Sequence, residues 1–125
     1  MPLTDRASIA ALTCLIMIHA VMLMALFAGV EPHPPSRVAP FGMAPFLAVM
    51  MSAALGAMIL GVFETRAGAL LTAVAVLLSL VSFGPHKLFD PALPLIWPAL
   101  VSAWVSIATL AVRLFASRAN TTIAT

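Results

Sequence analysis

Charge is scarce in this chain. Its 125 residues include six basic and four acidic side chains, 8% of the total, where an ordinary soluble domain carries about 25%. The basic residues stand singly. That excludes the clustered cationic face that nucleic acid demands and the polybasic patch that holds a protein to an anionic lipid surface. Cysteine is almost missing too: Cys14 is the only one, so no intramolecular disulfide and no CxxC metal or redox motif can form. Set inside an apolar run, Cys14 reads as a small packing residue. The sequence has no Ser-His-Asp set, no glycine-rich phosphate loop, no HExxH and no paired carboxylates within an apolar segment. A catalytic reading has nothing to rest on, and the chain reads as a non-enzyme.

What the chain has instead is apolar surface. Hydrophobic residues make up 63% and the mean hydropathy is +1.16, so there is too little polar surface to cover a water-soluble globule. The apolar runs must face lipid or one another. At this length they form one domain. Residues 7–29 are uncharged, interrupted only by Ser8, Thr13, Cys14 and His19, and at about 1.5 Å per residue they cross a hydrocarbon core of roughly 30 Å. The run is longer than the h-region of a signal peptide and no small-x-small cleavage site follows, so it reads as a retained helix. Residues 30–41 carry Glu31, Pro32, Pro34, Pro35 and Pro40, and the prolines make this an extended, stiff loop. Its polar groups are His33 and Arg37.

The second run, 42–63, tolerates Pro45 in its first turn. Ala53, Ala57 and Gly61 recur every four residues, a stripe along which another helix can approach closely. Met50, Met51 and Met58 read as packing filler. Glu64 to Arg66 is a tight polar turn. The third run, 67–83, has the minimum length for a span, with Gly68, Thr72, Ala75 and Ser79 as a small, weakly polar face. Then comes FGPHKLFDPALPLIWP, the one stretch where a histidine, a lysine and an acid (His86, Lys87, Asp90) fall together. The fourth run, 94–114, carries Ala99 and Ala103 with Ser102 and Ser106 at helical spacing. Trp97 and Trp104 lie seven apart on one side of it, Arg113 and Arg118 close it, and 120–125 form a polar tail.

Four spans place Arg6, Arg66, Arg113 and Arg118 on one side of a membrane and Arg37 and Lys87 on the other. The excess of positive charge puts both termini in the cytoplasm. The expected architecture is an all-α integral membrane protein of four transmembrane helices, an N-in/C-in bundle with two proline-rich external loops, in a bacterial-type inner membrane.

Two places can carry chemistry. His19 falls within the first span, where an ionisable group is expensive and often functional. The pattern LIMIHAVML around it partly resembles the H-A-x-x-L segment at the bacteriochlorophyll-binding histidine of light-harvesting polypeptides, with Leu15 where those polypeptides carry a small residue. That resemblance implies a pigment or haem ligand at His19. A haem between helices would want a second axial ligand, and no other span offers a histidine. The residues alone read His19 as a neutral imidazole, hydrogen-bonded to a neighbouring helix. The second place is the external face: His86, Lys87 and Asp90, with Arg37 and His33 from the other loop and Trp97 at the membrane interface, form a docking surface for a lipid headgroup, a quinone edge or a partner subunit. Asp90 before Pro91 also serves to turn the chain. His33 and His86 alone do not make a metal site.

The functional expectation is a non-catalytic accessory or assembly subunit of a larger energy-transducing membrane complex, respiratory or photosynthetic, with lipids and other membrane subunits as partners. One alternative is a small homo-oligomeric channel or transporter. The small multidrug-resistance exporters and the fluoride channels are similar in size, but the exporters' membrane glutamate is missing here. The other alternative is a pigment- or quinone-binding membrane protein.

Overall fold

The computed structural model describes residues 3–28, 40–83 and 93–124, and among them every regular element is an α-helix. The four helices are α1 (Leu3–Ala28), α2 (Pro40–Leu60), α3 (Arg66–Ser82) and α4 (Leu93–Ala124). α1 packs on α2 and α4, and α3 packs on the same two, so the helices close into a ring in which α2 and α3 share the most extensive interface. By length and composition, Arg6–Ala28 and Trp97–Ser117 are long and apolar enough to cross a membrane, while Ala44–Leu60 and Arg66–Ser82 are shorter apolar helices.

The helix bounds follow the backbone rather than the polarity. α1 takes in the polar start from Leu3, because no proline or glycine lies between Pro2 and Gly29. α4 does not close at Arg113 and Arg118, as its charges suggest. It runs on through residues 115–124 to Ala124, since a polar side chain changes what surrounds a helix and does not stop it; only glycine and proline do that strongly. Pro45 and Pro98 each lie six residues into their helices, where the amide they lack would have bonded only the first turn.

The α2–α3 connection departs most from expectation. α2 stops at Leu60, not Phe63, because Gly61 adopts φ +88°, the left-handed conformation in which helices commonly end. Gly61 is therefore no continuation of the Ala53–Ala57 stripe. Its carbonyl turns onto Gly68 of α3, where an added Cβ would land on the Gly61 oxygen. Thr65 fastens the two helix ends together. Its Oγ1 donates to the Leu60 carbonyl at 2.9 Å and accepts from Gly68 N at 2.9 Å, with extended backbone (φ −125°, ψ 157°) as an N-cap requires. One hydroxyl thus serves an orphan carbonyl of α2 and an orphan amide of α3. Thr65→Ala should lower stability by about 1–2 kcal/mol, whereas Thr65→Ser, which keeps the hydroxyl, should retain most of it. Thermal melts of both variants in one detergent check this.

The interior is built from small side chains where helices meet. Ala53, Ala54 and Ala57 of α2 are buried, as are Gly68, Thr72, Ala75 and Ser79 of α3. Ala103 of α4 is buried and Ala99 packs against the same core. Larger residues, Leu12 and Leu15 of α1, Met50 of α2 and Leu110 of α4, fill the rest.

Candidate functional site

The interior is not wholly apolar. His19 is fully buried on α1, on the same face as Leu12 and Leu15, seven and four residues before it. Its Nδ1 lies 2.7 Å from the Leu15 carbonyl. A carbonyl can only accept, so Nδ1 carries a proton, and in the neutral imidazole that full burial favours, Nε2 presents a lone pair. The imidazole is thereby fixed in tautomer and direction by its own helix. Nε2 is buried and has no hydrogen-bond partner among the described residues.

The imidazole meets the C-terminal end of α3. Its ring stands edge-on to Phe83, with centroids 5.3 Å apart and planes at 83°, the T-shaped arrangement that aromatic quadrupoles favour. Phe83 caps α3, its N–H donating to the Ser79 carbonyl at 2.7 Å. The Phe83 carbonyl in turn accepts from the Trp104 indole N–H of α4. One residue therefore joins three helices: its ring holds α1, its amide finishes α3 and its carbonyl holds α4. Phe83 is buried to 3% exposure, so each of these groups is paired out of water.

The helices that meet here also bury hydroxyl groups. Ser79 and Ser82 of α3 and Ser106 of α4 are all buried. Four helical hydroxyls donate to the carbonyl one turn back: Thr72 to Gly68, Ser82 to Leu78, Ser102 to Pro98 and Thr109 to Val105. Ser79 does not. Its Oγ is buried and, like His19 Nε2, finds no partner among the described residues.

Of the residues read from the sequence as able to carry chemistry or docking, His19 is the one this junction contains among those described. Trp97 is 57% exposed and lies seven residues from Trp104, about 10 Å along the helix, beyond the point where α3 ends; that is why two tryptophans on one side of α4 differ in environment. His33, Arg37, His86, Lys87 and Asp90 lie outside the described residues. Ser79 was legible only as part of the small face of the third run, and Trp104 only as the partner of Trp97. Phe83 carried one signal, the Gly84-Pro85 break that follows it.

Chemically the junction offers a fixed lone pair and a free hydroxyl. Among the described residues no three of histidine, cysteine, aspartate and glutamate come together. No family model, no curated protein and no solved structure matches the chain, so its function has to be read from these residues themselves.

Proposed function

We propose that the chain is a four-span protein of a bacterial-type inner membrane, with both termini cytoplasmic, serving as a non-catalytic accessory or assembly subunit of a larger energy-transducing membrane complex. The observation that carries this reading is the outward face of the helices. Each presents large apolar side chains to its surroundings, among them Met24 and Phe27 on α1, Ile59 on α2, Leu70 on α3, and Val105 and Phe115 on α4. Water would be a poor solvent for such a surface; a bilayer and apolar partner subunits are good ones. Ala53 and Ala57 of α2 and Ala99 and Ala103 of α4 pack inside the ring, which leaves the bulky outer faces for lipid and neighbours. Arg6, Glu64 and Arg66 are exposed, as residues at a cytoplasmic membrane face are, and the arginine excess sets the orientation.

A mild-detergent pull-down of the tagged chain from its native membrane tests the role. Recovery of oxidase, reductase or reaction-centre subunits is the expected result. Recovery of the chain alone as a homo-oligomer would overturn it and favour a channel or transporter. The topology is tested separately: reporters active only in the cytoplasm, fused after Thr125 and within 61–65, should both be active, and reporters within 30–39 and 84–92 silent.

A further inference from the structure

We propose that His19 and Ser79 together bind one long-lived water molecule, a polar strut across the interior between α1 and α3. These two helices do not adjoin in the ring; each packs mainly on α2 and α4. What reaches across is the contact of His19 with Phe83. Phe83 follows Ser79 by one helical turn and is bonded to it through the backbone, and residues four apart lie on the same face with Cβ atoms about 5–6 Å apart. The Ser79 hydroxyl and His19 Nε2 therefore open onto one interior layer from opposite helices.

Their chemistry is complementary. Nε2 can only accept, because the proton sits on Nδ1, held by the Leu15 carbonyl at 2.7 Å. The Ser79 hydroxyl can donate, because it does not spend its proton on its own helix as Thr72 and Ser82 do. Both atoms are closed from solvent, where a hydrogen bond left unmade is costly. They do not bond each other directly, so the molecule that completes them must donate to one and accept from the other. Water is the smallest molecule that does both, and two to four polar partners suffice to hold it. A metal ion is the poorer fit, since a neutral hydroxyl and one imidazole make a weak ligand pair.

The test is NMR of the full chain, labelled with ¹⁵N-histidine, in micelles or nanodiscs. The ¹⁵N shifts of His19 should report the Nδ1–H tautomer, and the ring protons should show cross-relaxation with a slowly exchanging water. In Ser79→Ala those water cross-peaks should be lost while the tautomer is unchanged; in Ser79→Thr they should persist. Absence of water cross-peaks at His19 in the parent chain would overturn the proposal, as would their full persistence in Ser79→Ala. A change in the Nε2 shift of Ser79→Ala with no water signal in either protein would show a direct Ser79–His19 bond and overturn it equally. None of these outcomes depends on which complex the protein joins, so the pull-down and this experiment can fail independently.

Discussion

Gly68→Ala is expected to be a severely damaging single-methyl change, costing about 3 kcal/mol or more. Overpacking by one carbon usually costs about 1–3 kcal/mol, because neighbouring side chains can shift. Here the obstacle is the Gly61 carbonyl, a backbone group that cannot rotate away. Gly61 is held at φ +88°, and the residues after it must still deliver Thr65 to both helix ends. Moving that carbonyl breaks the turn. The loss should appear as a lowered melting temperature in detergent and as protease cleavage between residues 61 and 65. Gly56→Ala is the control: the added Cβ would lie 2.9 Å from Leu71 Cδ1, the far end of a flexible side chain, so the penalty should be well under half as large. Equal melting temperatures for Gly68→Ala and the parent would refute the close approach of the two glycines.

Trp104→Ala should cost about 2–4 kcal/mol, the range for truncating a large core aromatic reduced because the indole is only half-buried. The variant loses the packing of α4 against the end of α3 and leaves the Phe83 carbonyl without its donor. Trp104→Phe separates the two losses. It keeps a six-membered ring in place and removes the pyrrole part of the indole with its N–H, so it should cost about 1–2 kcal/mol, most of it the penalty for a buried carbonyl left unpaired. Trp97→Ala serves as the comparison, since that side chain is exposed and makes no part of the junction. A result in which Trp97→Ala destabilises the isolated protein as much as Trp104→Ala would contradict this arrangement.

Why some of this was visible in the sequence and some was not has a physical basis. The four helices announce themselves as four apolar runs separated by proline-rich or polar stretches, since composition over some twenty residues is a strong signal. Helix ends are weaker signals. Residues 120–125 read as a tail because they turn polar, yet nothing in 120–124 opposes helical dihedrals, and α4 continues to Ala124. Gly61 sat four residues after Ala57, and that spacing alone could not distinguish a packing glycine from a terminating one; the sign of φ decides, and it is a property of the fold. His19 stood out because a histidine in an apolar run is rare. Its meeting with Phe83, and the opening of Ser79 onto the same layer, depend on how each helix is rotated about its axis and which helices adjoin. One chain does not encode that in its spacing.

The unequal lengths of the helices have a mechanical consequence in the membrane proposed above. α3, with 17 residues, is about 26 Å long at 1.5 Å per residue, and it cannot lengthen: Thr65 fixes its start and Phe83 its end. α1, with 26 residues, is about 39 Å long by the same rise. A bilayer with a hydrocarbon thickness of about 30 Å is then too thick for one side of the protein and comfortably spanned on the other. Lipid should be drawn thinner beside α3, while α1 and α4 meet the same leaflets by tilting. The protein would sit in its membrane as a wedge, deforming the bilayer on one flank only, and neighbours whose own spans are short would be drawn to that flank.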